Sequence, residues 1–176
     1  TPSCISRMER TGVVSTETAQ ALGAVGMAAR SSGVDIDTRF DFNDKWYTSL
    51  DVVKPFKATG DVHSRFKLRY KEIKQSMQIV KKLLDKLKEF RNEQILTNPN
   101  KTLAPNAFAI SMTEGWRGEI VHIALTGANG ELLRYKMKDP SFNNWYMLAM
   151  AVRNNGVSDF PLCNKSFNLS YCGNDL

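Results

Sequence analysis

Residues 60–91 read GDVHSRFKLRYKEIKQSMQIVKKLLDKLKEFR, and their spacing decides the fold. Phe66, Tyr70, Ile73, Met77, Val80, Leu84 and Leu87 recur at intervals of 4, 3, 4, 3, 4 and 3. Such a period puts them in one apolar stripe and predicts a helix over about 61–91. At 1.5 Å per residue that helix is roughly 45 Å long. Asp61 at its start, and Lys86, Lys88 and Arg91 near its end, complement the helix dipole. One narrow stripe on so long a helix requires partner helices. The chain supplies few, which fits a piece of a larger bundle.

The same stretch holds ten Lys/Arg against four Asp/Glu, so the whole formal charge of the chain, +6, is located there. A basic helix can bind nucleic acid or an acidic partner. However, no aromatic residues interleave its exposed lysines as on a single-strand binder, and a solvated helix face explains the charge. No nucleic-acid partner is expected. The 176 residues suffice for one domain, 1–176, with a substantial core. No apolar run approaches the ~20 residues of a membrane-spanning helix, and no leader-like stretch opens the chain. The chain starts at Thr1 rather than Met, as a processed product or an excised piece would. Cys4, Cys163 and Cys172 are too few and too scattered for a disulfide framework, which points to a reducing compartment. With two histidines and no ligand-spaced pair, a self-contained zinc site is not expected.

Outward from the long helix, residues 15–32 (STETAQALGAVGMAARSS) read as a helix capped by Ser15, alanine-rich but crowded with glycines. Those glycines imply a close neighbour or a break. Residues 33–59 read as an irregular connection. Residues 107–138 alternate apolar and polar in three runs, with Asn129-Gly130 as a hairpin turn, and predict a small antiparallel sheet. His122 on the second strand reads as structural, since no second ligand lies nearby. A helix is expected over about 143–155, stopped by Gly156, and the tail beyond it has no period. The class is therefore mainly α with a small antiparallel β hairpin sheet.

Three stretches together resemble one family. GDVHSRFKLRYKEIKQSMQIV is similar to the Gly-Asp-x-x-x-Arg helix of the complex I subunit related to hydrogenases and of membrane-bound, energy-converting nickel–iron hydrogenase large subunits. TEGWRGEIVHIALTGANGELLRYKMKDPSFNNW is similar to their Glu-x-x-Arg-Gly-Glu hairpin and the Pro-Ser-Phe-x-Asn helix start that follows. SDFPLCNKSFNLSYCGNDL is similar to their C-terminal segment, and residues 7–39 fit the stretch before the Gly-Asp helix. The resemblance covers the whole chain in order. It implies the C-terminal portion of a hydrogenase-like large subunit.

That family's hydrogenases end in Asp-Pro-Cys-x-x-Cys, whose paired thiolates suit nickel and iron. In this chain Asn168 and Leu169 stand at the Asp and Pro, Ser170 at the first Cys, Gly173 at the second, and Asp175 takes the acid that follows. Cys172 falls one residue short of a ligand position and is only a weak metal candidate. The resemblance thus implies Ser170, Gly173 and Asp175 around an emptied metal site, with no cofactor in this region. It further implies an iron–sulfur cluster in a small partner subunit, membrane subunits beside it, a quinone-like or unknown acceptor, and a peripheral place on the cytoplasmic side of the membrane.

The residues it marks for chemistry are Arg117, Glu114, Asp61 and His63. Arg117 matches the arginine near the iron's ligands; an ion pair with Glu114 or Glu119 explains it equally. Asp61 is a proton-relay or quinone-site acid, or only a helix-dipole partner. Glu114 is a proton relay or an exposed hairpin acid, and Cys163 reads as a buried small residue. Two other functions compete with the metal-free oxidoreductase subunit. One is a true nickel–iron hydrogenase with altered ligands, Cys172 and Cys163. The other is a non-enzymatic interaction module built on the basic helix.

Overall fold

A computed structural model describes residues 1–42, 47, 49–50, 52–90, 96 and 102–175. The helices used below are α1 (Pro2–Met8), α2 (Thr16–Ala21), α3 (Gly26–Ser31), α4 (Thr38–Asp41), α5 (Val62–Leu87), α6 (Ser141–Ala151) and α7 (Phe160–Phe167). Three antiparallel strands, β1 (Phe108–Gly115), β2 (Gly118–Thr126) and β3 (Leu132–Lys138), form a sheet in that order. The class is the expected one, mainly helical with a small antiparallel sheet.

The helix expected over 15–32 is two helices. Ser15 caps α2, its hydroxyl accepting from the Thr18 N–H at 3.2 Å. The chain then breaks, and Gly26 restarts it with a positive φ of 64°. A Cβ on Gly26 would stand 2.3 Å from Gly118 Cα, so the two backbones touch at the head of β2. Alanines and other small side chains continue this close packing: Ala19, Ala24, Ala28 and Ala29 share one core with Val62, Met147, Leu148, Cys163 and Phe167.

Asp61 caps α5 by accepting from the Ser64 N–H at 2.7 Å. The helix closes in a short 3-10 turn, Lys88–Phe90, and the expected end at Arg91 lies outside the described residues. Its 26 residues span about 39 Å. Only the first turns are buried, at Val62, Ser64, Arg65 and Leu68. The stripe from Phe66 to Leu87 is exposed along its whole length, between 41 and 69%. Behind it, Gln75 accepts from the Val53 N–H and Lys82 donates to the Leu50 carbonyl, so Leu50 and Val53 lie on the opposite face.

The C-terminal elements correct two expectations. The helix expected over 143–155 runs Ser141–Ala151 instead, and Gly156 does not cap it. Asp139 accepts from the Ser141 N–H at 2.7 Å and starts it early. At the other end the Asn155 amide donates to the carbonyl of Ala151, the last helical residue, and to that of Arg153 in the turn beyond, so a helix acceptor is taken up before Gly156 is reached. The tail read as irregular contains α7, with Pro161 in its first turn where a missing N–H is harmless. No helix among the described residues is long and apolar enough to cross a membrane.

Candidate functional site

Arg30, on α3, is 1% exposed and gathers three carboxylates from distant parts of the chain. Its guanidinium donates to Glu114 at 2.8 Å and Glu72 at 2.6 Å, lies 3.2 Å from Asp37, and also donates to the Ile36 carbonyl at 3.0 Å. Arg39 grips Asp37 with two bonds, Nε at 2.8 Å and a terminal nitrogen at 2.6 Å. The second oxygen of Glu114 accepts from both the N–H and the hydroxyl of Thr38, each at 3.2 Å. Two guanidinium groups therefore face three carboxylates, one more anion than cation when all are ionised.

That imbalance divides the acids. Burial pushes the Glu114 carboxyl above its ordinary range, and the opposing pull of Arg30 does not cancel it. Burial acts the same way on Asp37, but the Arg39 hydrogen bonds with the charges of Arg30 and Arg39 outweigh it and hold Asp37 low. Glu114 is thus the acid of the cluster best suited to hold a proton. It borders two clefts, one of about 340 Å³ with Thr38, Phe42 and Met112, the other of about 190 Å³ with Arg30, Glu72 and Trp116. Of the two sequence readings of Glu114, the exposed hairpin acid is wrong: its side chain is 5% exposed. The turn sequence carries no sign of this, because its partners lie 76 and 84 residues upstream.

Arg65, the last residue of the Gly-Asp-x-x-x-Arg stretch, is fully buried and was not among the expected site residues. It bonds Ser166 Oγ at 2.8 Å, the Gly60 carbonyl at 2.7 Å and the Gly12 carbonyl at 2.8 Å, and lies 4.2 Å over the Phe167 ring. Burial brings its pKa down to about 10, so it remains charged at neutral pH. One side chain thereby ties the N-terminal segment, the start of α5 and α7 together. The motif spacing itself, with Arg65 one turn beyond the Asp61 cap, was the available signal.

Asp61 accepts from the N–H groups of Ser64 and Arg10 and from the Thr59 hydroxyl. Burial works to raise its pKa, but these bonds prevail and hold it low. His63 sits in the first turn of the same helix with Nδ1 3.4 Å from Glu9. Both border a cleft of about 470 Å³ at this helix end, with Arg10, Lys57 and Lys67. The four residues marked for chemistry therefore do not form one constellation. Asp61 and His63 share this cleft, and Glu114 belongs to the Arg30 cluster.

Arg117 pairs with neither Glu114 nor Glu119. Its Nε donates to the Asn168 carbonyl, while Glu119 faces Lys138 at 3.4 Å. Arg69 joins this junction, donating to the carbonyls of Ser166 and Phe167 and lying 5.3 Å over Trp116. Beyond Asn168, Ser170 receives the Gly173 N–H on its hydroxyl at 3.0 Å and gives its own N–H to Ser141. A Cβ at Gly173 would stand 2.5 Å from an Asp139 oxygen, so a larger residue there requires Asp139 to move. The Asp175 side chain lies outside the described residues. Cys172 is exposed and Cys163 is buried next to Arg65. His122 bonds the Tyr135 hydroxyl across the sheet, a structural partner as expected.

The capped long helix, the three-stranded sheet and the elements around them make a fold found in a solved structure. It superposes on a chain of the membrane-bound sulfane sulfur reductase, an archaeal respiratory membrane complex, with a TM-score of 0.82 and 23% identity, covering 97% of this chain and 47% of that one. The chain belongs to the respiratory-chain NADH dehydrogenase 49 kDa subunit family, whose model matches residues 1–107. It is 31% identical to formate hydrogenlyase subunit 5 of Escherichia coli (strain K12), over 99% of this chain and 30% of that protein. It is 32% identical to the membrane-bound hydrogenase subunit alpha of Pyrococcus furiosus, over 88% of this chain and 39% of that protein. An NADH-quinone oxidoreductase subunit of Syntrophobacter fumaroxidans is 27% identical over 88% of this chain and 41% of its own length. The chain thus spans less than half of these curated relatives.

Proposed function

We propose that this chain serves a multi-subunit, membrane-associated oxidoreductase as a hydrogenase-like subunit without a nickel–iron centre of its own. It docks on an iron–sulfur small subunit, sits peripherally on the cytoplasmic side beside membrane subunits, and contributes to a cleft where electrons reach a quinone-like acceptor. Family membership and relatives drawn from complex I-type and hydrogenase complexes support this setting. The observation that carries the metal-free reading is the C-terminal turn. Ser170 offers a hard hydroxyl already bonded to the Gly173 N–H, and Gly173 offers no ligand at all. Nickel and iron of the hydrogenase type require soft thiolates converging from such positions. Those residues do not fit the metal.

Reducing a quinone to a quinol consumes two electrons, which the iron–sulfur partner supplies, and two protons. His63, with Nδ1 3.4 Å from Glu9, stands in the Asp61 cleft and supplies an imidazole that can pass a proton to a bound acceptor. Glu114 can hold a proton within the hairpin because burial favours its neutral form. Arg117 fixes the hairpin turn against the C-terminal segment through the Asn168 carbonyl.

Metal analysis of the purified full complex tests the central point: nickel far below one per complex is expected, and stoichiometric nickel overturns the proposal. Hydrogen activity that vanishes in Cys172→Ala would instead favour a true hydrogenase with altered ligands, Cys172 and Cys163. An interaction module predicts neither metal nor electron-transfer genes in the neighbourhood.

A further inference from the structure

The two oxygens of the Glu114 carboxylate are unequally used. Both lone pairs of Oε2 are taken, one by the Thr38 N–H and one by the Thr38 hydroxyl. Oε1 accepts from Arg30 at 2.8 Å and, among the described residues, keeps its other lone pair open. A proton therefore goes to Oε1, on the Arg30 side of the carboxyl. Arg30 has an unmet need of its own: its Nε–H is buried, and no group among the described residues accepts from it. An unpaired buried donor is costly, and a polar cavity beside one holds water. Arg30 and Glu114 both wall the cleft of about 190 Å³, together with Glu72, Ser76 and Trp116. That volume is several times the roughly 30 Å³ share of one liquid water, and the walls supply the polar partners that buried water requires. Arg30 does not border the larger cleft, where Thr38 closes the other oxygen.

We propose that this smaller cleft is a water-filled port through which Glu114 exchanges a proton with solvent, one of its waters accepting from Arg30 Nε and another donating to Glu114 Oε1. On loading, a hydronium at the mouth gives up a proton to the water file and becomes water. The innermost water passes a proton to the open lone pair of Oε1, and the carboxylate becomes neutral. No electron moves, and unloading reverses each transfer. Glu72, whose side chain is 13% exposed against 5% for Glu114, is the outer acid of the port. The charged groups around Glu114 come from four elements. They are Arg30 on α3, Asp37 and Arg39 at the start of α4, Glu72 on α5 with Arg69 beyond it, and Glu119 across the hairpin, itself paired with Lys138. The port rests on the proposed role of Glu114 as a proton holder and adds the oxygen and the route.

Infrared difference spectroscopy of the full assembled complex after a pH jump tests it, through the protonated-carboxyl band that disappears in Glu114→Gln. Ser76 is exposed on α5, so Ser76→Met narrows the cleft from a helix position that accepts a longer side chain. In Ser76→Met the band is expected to reach the parent amplitude but to rise at least tenfold more slowly, whereas Ser76→Ala keeps the parent rate. In a high-resolution map of the parent complex, a water is expected within hydrogen-bond distance of Arg30 Nε. An unchanged rate in Ser76→Met, or a protein group in the place of that water, overturns the port and leaves Glu114 a proton holder. Absence of the Glu114 band from the parent complex overturns the proton holder and the port together.

Discussion

Two arginines of this molecule, Arg30 and Arg65, are completely buried, and they are held in opposite ways. Arg30 is surrounded by carboxylates, Asp37, Glu72 and Glu114, with Arg39 as a second cation. Arg65 bonds only neutral oxygens, two carbonyls and a hydroxyl, with an aromatic ring beneath it. The first arrangement changes its charge with pH and can exchange a proton through Glu114. The second keeps the same bonds across the neutral range and acts as a fixed clamp. Burying a cation thus yields a titrating site or a strut, depending on whether its acceptors ionise.

The largest way to break this contrast is Arg30→Met. It leaves Glu114 and Glu72 without their cation while Asp37 keeps its two bonds to Arg39, and removing one partner of a buried ionic group costs about 3–5 kcal/mol. Stability at pH 7 is expected to fall by that amount in chemical denaturation and to recover partly toward pH 5, as the stranded acids take up protons.

Arg65→Met leaves the Gly60 and Gly12 carbonyls without this donor, at about 1–3 kcal/mol for each buried unsatisfied group. Its loss is expected to be the same at pH 5 and pH 7. Recovery at low pH would show that Asp61, the nearby carboxylate, carries part of the effect of Arg65.

Asp61→Ala removes a cap, a loss of about 0.5–2 kcal/mol. Because the Asp61 pKa is lowered in the folded state, its contribution is present above the unfolded carboxylate range and lost as pH falls through the folded pKa. The variant should therefore differ most from the parent at neutral pH and least in strong acid, in thermal melts across that range.

Glu114→Gln is the smallest change at pH 7, expected within about 1.5 kcal/mol, the scale of a single net hydrogen bond. Here the sign reverses: a carboxyl whose folded pKa is raised stabilises at low pH and loses that contribution as pH rises through the folded value. The parent should show that decline and the variant should not. If the decline persists, another acid of the cluster carries it.

The start of α5 is legible in the sequence because an Asp cap and a 3.6-residue period are local signals. The Ser15 cap is equally local, whereas the break before Gly26 comes from a backbone contact with Gly118, far along the chain. Asn155 defeats the Gly156 stop signal because a side-chain amide can take up helix carbonyls before any glycine does. Pro161 hides α7 because proline breaks a helix interior but suits its first turn. At the site, Asp61 and His63 share a cleft because a helix end holds them together. The Arg30 cluster escapes a reading of the sequence because its members are separated by 7, 42 and 84 residues and none shows a pattern of its own.

The contact between Gly26 and Gly118 has a mechanical meaning. Two backbones already at their closest approach have no slack to take up, and packed interiors compress little. A push on the Trp116–Arg117 turn, whether from a docked subunit or an occupied cleft, therefore reaches α3 without backlash, and Arg30 rides on α3. The turn and the buried cation work like two teeth of one gear, and the fit between the teeth is set by the absence of two methyl groups.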